Sequence, residues 1–461
     1  MAKILFKNGF VMSLNDKVGD LEADVLVDGA VIKQVGKNIS TDGAEVVDAK
    51  GMLVMPGMAD THCHLWETPF KGRIAEGWGM EYFVNIHPLA SYVEPEDLYA
   101  GIYAGCIEAL YTGTTSIFDY SHCIRSSEHA DAAVEALRDS GIRAVFGYDL
   151  RGKDHSGKSS LAPSAARFKD IERIKSKLWG DKASLLRLAV CLSEVAPESA
   201  NAILKEIEFT RSLGVRVSWH CNKAGEIEFL DKHGVMGPDL MPAHGNYTTD
   251  RDLDILGSVG GFLTTQTEAE TYAGRRSMSM VARGHRRGVK IALGIDVPVI
   301  MNYGLLHQMR LMFYLQRYMD GVVERHEGQV PVARRPGTPT FAARDIVRMT
   351  TTNCAEANGV GDIVGQIAPG FQADIVLLDT NLFGRAEGDP AGHVVTNSSS
   401  GDIDTVMVAG EFRKRAGKMV GVDMAKMLAA REAARDRIYK AAGEVPGKPK
   451  LGYWHWGEGA S

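Results

Sequence analysis

Eight short apolar segments alternate with stretches of helical composition through the middle of this 461-residue chain. The segments occupy residues 53–60, 115–120, 143–150, 186–192, 215–220, 240–244, 261–265 and 290–296. Strands that alternate with helices in this way form parallel sheets, and eight such units close into a barrel. The pattern therefore predicts an α/β protein with a (β/α)8 barrel of the TIM type over residues 56–360.

The two chain ends have a different pattern, made of short alternating strands. Near the amino terminus these strands are interrupted by Asn-Gly, Asp-Gly and Lys-Gly pairs beginning at Asn8, Asp28 and Lys50, which indicate turns. Apolar strands at 373–378 and 405–408 repeat the pattern downstream. We therefore expect one small β-sandwich domain formed by residues 1–55 and 361–420. Residues 421–461 are expected to add a helix at 424–442 and an aromatic tail.

Charge and composition exclude several classes of protein. The formal net charge is −6, so no basic field is available to bind the phosphates of a nucleic acid. No segment approaches the roughly 18 consecutive apolar residues of a membrane span, and the amino terminus has no secretory signal pattern. The six cysteines include no C-x-x-C pair, which argues against a disulfide framework and against a zinc site made of cysteines. We expect a soluble, cytoplasmic protein with a small-molecule substrate and no nucleic-acid or membrane partner.

Candidate metal ligands stand at the ends of several predicted strands. His62 and His64 are two residues apart after the first segment, so both imidazoles point to the same side and can share one ion. This pair alone is weak evidence, because paired histidines often pack or face solvent. His220, His244 and Asp296 end later segments, and strand ends meet at one face of a barrel. Together the five residues predict a metal site.

The residues that carry these ligands resemble a known family. The string VMPGMADTHCH at 54–64, the strand-end histidines, LGID at 293–296 and GQIAPGFQADIV at 365–376 are similar to the amidohydrolase superfamily. The resemblance is to the branch of triazine hydrolases and cytosine, guanine and adenosyl-type deaminases, and it covers nearly the whole chain. It implies the barrel with its small β domain, hydrolysis of carbon–nitrogen bonds other than peptide bonds, and a homodimer or larger homo-oligomer.

The same resemblance assigns roles to the five residues. His62, His64, His220 and Asp296 would bind one divalent ion, most often zinc, with iron or cobalt as alternatives. His244 would face the substrate or the bound water, and Asp296 would also act as a base. Such an ion lowers the pKa of its water to about 7. A second ion is not expected, because residues 188–193 contain no lysine that could bridge two metals.

Three departures from the family pattern bear on the substrate. Lys223 stands where the deaminases carry a proton-shuttling glutamate, and its charge suits binding of an anionic group or polarisation of a carbonyl. Glu226 lies three residues further on. The fourth segment ends in Ser193 and Glu194 where many deaminases have a histidine, and TTQTEAE at 264–270 replaces the usual run after the seventh.

These departures favour hydrolysis of an amide, urea, carbamate or ring amidine in a small anionic or heterocyclic substrate, with Lys223 as a catalytic residue. The alternatives are an aminoheterocycle deaminase, a triazine-type hydrolase and a metal-assisted decarboxylase or lyase. Candidate substrate contacts, chosen because the barrel sets them on its catalytic rim, are Trp66, His122, Arg151, Glu194 and Glu268. The alternative for each is a structural role, and for Glu268 this is a charge pair with Glu270 at a helix start.

A competing motif belongs to another class of protein. GKDHSGKS at 152–159 matches the phosphate-loop pattern and follows the third predicted strand. Pro163 interrupts the helix that this loop requires, and no suitable acidic strand lies nearby. A loop over the barrel mouth is the preferred interpretation, and nucleotide binding stays the alternative.

Overall fold

The structure, a computed structural model, describes residues 3–77, 79–151, 164–179, 184–274, 277–326, 340–380 and 389–451. The phosphate-loop motif at 152–159 and the aromatic tail after residue 451 lie outside the described residues. Among the described helices, none has the length and apolar character that crossing a membrane requires.

The first strands of the chain precede the barrel and belong to a separate sheet. They are β1 (Lys3–Met12), β2 (Asp20–Asp28), β3 (Val31–Gly36), β4 (Ala44–Asp48) and β5 (Met52–Pro56). The barrel strands follow as β6 (Met58–Ala59), β7 (Thr114–Ser121), β8 (Arg143–Asp149), β9 (Leu186–Cys191), β10 (Arg216–Cys221), β11 (Leu240–His244), β12 (Phe262–Thr265) and β13 (Lys290–Leu293). Each barrel strand pairs in parallel with the next, which confirms the predicted (β/α)8 fold.

Helices connect the barrel strands and cover the outside of the barrel. Those up to strand β13 are α1 (Gly79–Asn85), α2 (Pro95–Tyr111), α3 (Ser127–Ser140), α4 (Ser164–Trp179), α5 (Ala200–Ser212), α6 (Glu226–Lys232), α7 (Asp250–Ser258), α8 (Thr267–Tyr272) and α9 (Ser277–Arg286). The later ones are α10 (Leu305–His326), α11 (Ala343–Arg348), α12 (Thr352–Ala357), α13 (Pro390–Thr396) and α14 (Met424–Ala442). Short 3-10 helices cover Leu65–Phe70, His87–Tyr92, Pro197–Ser199 and Ser400–Asp402. The helix predicted at 424–442 is confirmed as α14.

The barrel closes where its first and last strands meet. Beyond the short strand β6, the Thr61 amide donates a hydrogen bond to the Leu293 carbonyl at 3.2 Å. The Asp296 amide then donates to the His62 carbonyl at 2.8 Å, and the His64 amide to the Asp296 carbonyl at 2.9 Å. We call these three hydrogen bonds the barrel seam. These hydrogen bonds place His62 and His64, from the start of the barrel sequence, next to Asp296, from its end.

The second sheet joins both chain ends, as predicted. It adds β14 (Ile375–Asp379), β15 (Ile403–Val408), β16 (Glu411–Arg415) and β17 (Lys418–Met419) in the order β17-β16-β15-β14-β5-β1-β2-β3, with β4 paired to β1. Alternate residues of a strand face opposite sides. Ile375 and Leu377 accordingly pack into a core of this sheet alone, while Val376 and Leu378 join the large core of the barrel. The sheet is therefore packed against the barrel through one face.

Two local predictions were wrong. Segment 53–60 has no polar residue before Asp60, so the sequence does not mark the point where the chain leaves one sheet for the other. Residues up to Pro56 belong to β5, and the barrel strand begins at Met58. The Asn8-Gly9 pair makes no turn between strands. Asn8 has φ +64° and lies in a register shift within the continuous strand β1. Nothing in the fold tests the exact domain boundaries, which stay predictions.

Candidate metal and active site

The predicted metal ligands meet at the carboxyl ends of the barrel strands. Asp296 Oδ1 lies 3.4 Å from His62 Nε2 and 3.3 Å from His64 Nε2. His220 Nε2 lies 3.3 Å from His64 Nε2. In two overlapping groups, His62 with His64 and His220, and His62 with His244 and Asp296, the potential ligand atoms all lie within 4.8 Å of one another. One ion could therefore be shared by these side chains.

The chemistry of these groups fits a divalent metal ion. His62 is fully buried, and neither of its ring nitrogens makes a hydrogen bond to a described residue. Leaving such a group unsatisfied costs about 1–3 kcal/mol, which a metal–nitrogen bond would offset. Burial also lowers the pKa of His62 to about 3, so the ring stays neutral and able to bind a metal. His64 donates Nδ1–H to the Tyr120 carbonyl at 2.8 Å, which directs its Nε2 lone pair to the site.

Asp296 carries the negative charge of this ligand group. Burial opposes its ionisation, but His244, His62 and His64 outweigh burial and hold the pKa of Asp296 well below its usual range. The carboxylate therefore stays ionised, as a ligand or base requires.

Two of the site residues have an unusual backbone. His244 has φ +72° and Asp296 has φ +73°, in the left-handed region that costs residues other than glycine roughly 1–2 kcal/mol. Such conformations persist where the surrounding structure imposes them, and they are common at functional sites. His244 is the last residue of β11 and Asp296 belongs to the barrel seam, and both side chains lie beside His62.

Glu270 is a site residue whose role the sequence did not reveal. Its carboxylate is buried, and it lies 2.7 Å from His244 Nδ1. The carboxylate can only accept, so the ring proton of His244 resides on Nδ1. From the sequence Glu270 was interpreted only as a helix-start charge, because nothing in its spacing points to a residue 26 positions earlier.

A cavity of about 370 Å³ opens above these side chains. Its lining includes the predicted metal ligands His64, His220 and Asp296, as well as His244 and Glu270. Three predicted substrate contacts and the predicted catalytic lysine also line it, and these are His122, Arg151, Glu194 and Lys223. The predicted rim residues therefore converge on one cavity above the metal ligands.

Arg151 and Lys223, which line the cavity among the described residues, are each paired with a carboxylate. Arg151 donates two hydrogen bonds to Asp149, from Nε at 2.8 Å and from Nη2 at 2.7 Å. Lys223 forms an ion pair with Glu194 at the mouth, where the two side chains are 52% and 69% exposed. The hydrogen bond to Glu194 raises the pKa of Lys223, so the lysine stays charged and is unsuited to shuttling protons. Its catalytic role stays a prediction without support from the geometry.

Two of the predicted substrate contacts lie outside the cavity lining. Trp66 is buried, and its indole Nε1 donates to His122 Nδ1 at 3.4 Å. Glu268 exchanges hydrogen bonds with Gln308: its amide donates to Oε1 at 3.0 Å, and its Oε2 accepts from Nε2 at 3.1 Å. Burial raises the pKa of Glu268 to about 7. Both side chains have protein partners here, and their substrate roles stay predictions.

Glu226 lines the cavity six residues after His220. Its carboxylate accepts hydrogen bonds from Trp219 Nε1 at 2.8 Å and from the Lys223 amide at 2.7 Å. Burial nevertheless raises the pKa of Glu226 to about 7, so a protonated fraction exists at neutral pH. The chain therefore has a cavity carboxyl group even though Lys223 occupies the position expected for a glutamate.

Comparison with known proteins agrees with this architecture. A family model described as the amidohydrolase family matches residues 53–413. The chain belongs to the amidohydrolase family. This amidohydrolase is 27% identical over 439 residues to 5'-deoxyadenosine deaminase of Methanothermobacter thermautotrophicus, covering 91% of this chain and 95% of the relative. It is also 27% identical over 431 residues to 5-methylthioadenosine/S-adenosylhomocysteine deaminase of Thermococcus kodakarensis, covering 89% and 93%.

Solved structures share the fold of this amidohydrolase. A triazine hydrolase variant has a TM-score of 0.82 at 20% identity, covering 94% of this chain and all of that one. A zinc-bound adenosine deaminase from Xanthomonas campestris has a TM-score of 0.80 at 18% identity, covering 95% and 98%. The predicted family and fold are thus confirmed. The protein is a hydrolase that acts on carbon–nitrogen bonds.

Proposed function

We propose that this amidohydrolase binds one zinc ion through His62, His64, His220 and Asp296 and hydrolyses a carbon–nitrogen bond of a small heterocycle or amide. The observation that carries the proposal is the convergence of these four side chains, with His62 fully buried among them. When bound, such an ion supplies a water that deprotonates near neutral pH.

The chain's own residues would handle the protons. The carboxylate of Asp296 is ionised and adjacent to His62 and His64, so it can accept the proton of the attacking water. His244 is held with its proton on Nδ1 by Glu270, which fixes the orientation of the ring beside the ligands. Glu226, with its pKa near 7, can hold a proton that a leaving amine needs.

Two reaction types compete within this function. Deamination of an aminoheterocycle is supported by the deaminase names of the relatives and by the cavity carboxyl of Glu226. Hydrolysis of an amide, urea or carbamate is the second candidate, and the observation that favours it is the charged Lys223 at the position of the expected glutamate. We give preference to deamination, because Glu226 retains the carboxyl function.

The test compares metal-free, zinc-loaded and cobalt-loaded protein. Each form is assayed against 5'-deoxyadenosine, adenosine, benzamide, phenylurea and a phenylcarbamate, with ammonia, amine and carbon dioxide measured separately. We expect close to one zinc per chain, loss of activity with chelation, and recovery on adding zinc. Asp296→Asn should lose both zinc and activity, whereas Asp239→Asn, a control at a half-buried aspartate that pairs with Arg211, should keep both.

Each outcome has a stated meaning. Ammonia release from the nucleosides supports deamination. Ammonia release from benzamide, or carbon dioxide release from the urea or carbamate, supports the second candidate. A protein that carries one zinc ion and hydrolyses none of the five compounds would contradict the proposed function.

A further inference from the structure

Helix α1 supplies part of the wall of the active-site cavity. Its residues Tyr82 and Phe83 line the cavity, and so does His87 in the 3-10 helix that follows. Ring contacts connect this wall to a proposed metal ligand. The ring centroids of His87 and His122 are 5.1 Å apart, and those of His122 and His64 are 3.8 Å apart. A displacement of α1 would therefore change the cavity directly beside the metal ligands.

Seven residues are too few for α1 to be stable by itself. The helix covers Gly79–Asn85, and isolated helices shorter than about 12–15 residues are marginal in water. Its position must therefore depend on contacts with the rest of the protein. One such contact is the hydrogen bond that the Tyr82 hydroxyl donates to the buried Glu67 carboxylate at 2.6 Å. Another involves Asn85, the last residue of the helix.

The Asn85 side chain binds the backbone of Lys450, 365 residues further along the chain. Its amide nitrogen Nδ2 donates to the Lys450 carbonyl at 2.8 Å, and its Oδ1 accepts from the Lys450 amide at 2.6 Å. Asn85 is only 2% exposed, and its side chain pairs with both backbone groups of Lys450, as a neighbouring strand would. The end of α1 is therefore attached to the C-terminal part of the chain.

Residues 444–450, which we call the C-terminal segment, have a second attachment at Arg73. Nη2 of Arg73 lies 2.7 Å from Glu444 Oε2, and Nη1 donates to the Val445 carbonyl at 3.3 Å. The Arg73 side chain is 1% exposed, and its guanidinium lies over the Tyr439 ring at 4.6 Å from the centroid. Because a buried charge loses much more than an exposed one when its partner is removed, Arg73 fixes the start of the segment.

The sequence of the C-terminal segment restricts its conformation. Residues 445–448 form a turn, in which the Lys448 amide donates to the Val445 carbonyl at 3.2 Å. The central residues are Pro446 and Gly447, and Gly447 has φ +69°, as the glycine of a type II turn requires. Pro449 follows the turn and fixes one more φ angle. Little conformational entropy is therefore lost when the segment binds α1.

We propose that the C-terminal segment positions α1 as a wall of the cavity, which makes Asn85 and Arg73 positioning residues for substrate binding. Neither residue lines the cavity, and they act through Tyr82 and Phe83, which do. The inference rests on the proposed function, since it concerns substrate binding in the same site.

The effect of this attachment belongs to KM. Without the C-terminal segment, α1 is in place for only a fraction of the time, and the apparent affinity for substrate falls by that fraction. Bound substrate restores the contacts with Tyr82 and Phe83, so the saturated enzyme has the same wall as the intact protein. We therefore expect KM to rise while kcat stays nearly constant.

The test compares two shortened chains, both loaded with zinc. One ends at Leu451 and keeps the C-terminal segment, and the other ends at Gly443 and lacks it. Hydrogen exchange of residues 79–92 is measured by mass spectrometry, and KM and kcat are measured with whichever of the five compounds is hydrolysed fastest. In the chain that ends at Gly443, we expect about tenfold faster exchange and about tenfold higher KM. kcat, zinc content and the exchange of α7 should change less than twofold.

A matched pair of point variants tests the same contact in the full chain. Lys450→Pro removes the amide that donates to Asn85, whereas Lys450→Met keeps this amide and loses only the ion pair of Lys450 with Glu444. The Lys450 side chain is 54% exposed, so this ion pair contributes little. Lys450→Pro should raise both the exchange rate of residues 79–92 and KM by about threefold to fivefold, and Lys450→Met should match the wild type.

The two readouts separate this inference from the proposed function. Unchanged exchange of residues 79–92 in the chain that ends at Gly443 and in Lys450→Pro would overturn the inference. Faster exchange with an unchanged KM, or with a fall in kcat alone, would also overturn it. If none of the five compounds is hydrolysed, the proposed function fails, and the exchange rates still decide whether the C-terminal segment holds α1.

Discussion

Glu270 influences the site through a single hydrogen bond to His244. Because its carboxylate is buried and charged, it holds the ring proton on Nδ1 more strongly than a neutral acceptor would. Glu270→Gln keeps an oxygen but removes the charge, so we expect kcat/KM to fall by roughly 10- to 100-fold. Zinc content, measured by elemental analysis, should stay at the wild-type level.

Glu268→Gln is the matched control for that experiment, since this residue lies two positions earlier and outside the cavity lining. We expect less than a threefold change in kcat/KM. A larger loss in Glu268→Gln than in Glu270→Gln would contradict the assigned roles.

Glu268 also makes stability depend on pH. Its pKa of about 7 in the folded protein exceeds the ordinary value of 4.5, so the folded state holds this proton more tightly than the unfolded chain. The stabilisation is complete below pH 4.5 and is lost as the pH rises through 7. The glutamine of Glu268→Gln cannot ionise. We therefore expect the free energy of unfolding of this variant to rise by about 1–2 kcal/mol relative to that of the wild type between pH 5 and pH 8. This is less than the full pKa shift implies, because the side chain is partly exposed.

Urea unfolding at a series of pH values measures this effect. Glu135→Gln, at an exposed position of α3, should show no such trend. A Glu268→Gln variant whose advantage is the same at pH 5 and pH 8 would show that burial does not control this carboxyl group.

The sequence predicted the four residues that we propose as metal ligands but not the residues that support them. His62, His64, His220 and Asp296 each follow an apolar segment, and barrel geometry alone brings such strand ends together. Glu270 was not found, because the geometry of helix α8 determines which neighbours its side chain meets. A hydrogen bond between residues 26 positions apart leaves no periodic signal in the sequence.

At the scale of elements, the barrel seam depends on a glycine. A Cβ at Gly294 would lie 2.9 Å from the amide nitrogen and the carbonyl oxygen of His62, closer than real contacts allow. Gly294→Ala must push the two ends of the seam apart, so we expect a destabilisation of about 2 kcal/mol or more and substoichiometric zinc. Thermal unfolding and elemental analysis measure the two effects.

Gly321→Ala provides a control for the added methyl group. This glycine lies within α10 with open space around its Cβ position, so alanine should stabilise the helix by about 0.5–1 kcal/mol. Equal stability and zinc content in the two variants would argue against close packing at the seam.

The strands were more predictable than their boundaries. Seven of the eight barrel segments coincide with observed strands to within about three residues at either end, because short apolar runs between helices determine where parallel strands form. Segment 53–60 was misassigned, since every position in it is buried and no alternation marks the change of sheet at Gly57. A Cβ at Gly57 would collide with the side chain of Thr115, so the glycine is required at this crossing.

At the scale of the whole molecule, one buried ion pair joins the barrel to the second sheet. Arg143, the first residue of β8, donates from Nε and Nη2 to Asp374, each at 2.9 Å, and both side chains are 2% exposed. Asp374→Asn leaves the charge of Arg143 buried without a partner, so it should destabilise the protein by about 3–5 kcal/mol. Calorimetry also shows whether the barrel and the sheet then unfold separately.

The pair Arg211–Asp239 has the same two-hydrogen-bond geometry at the surface, with side chains 37% and 30% exposed. Asp239→Asn should therefore cost no more than about 1 kcal/mol. Similar losses in Asp374→Asn and Asp239→Asn would mean that burial adds nothing to the pair that joins the two sheets.

The seam has a consequence for the order in which the active centre is built during synthesis. Thr61 and its partner Leu293 are 232 residues apart, so His62 and His64 leave the ribosome long before the strand that closes the barrel beside them. A nascent chain that ends before β13 lacks Asp296 and the seam hydrogen bonds that hold His62 and His64 beside it. Such a chain has only three of the four residues proposed to bind the metal, so the complete site forms only after the last barrel strand has been made.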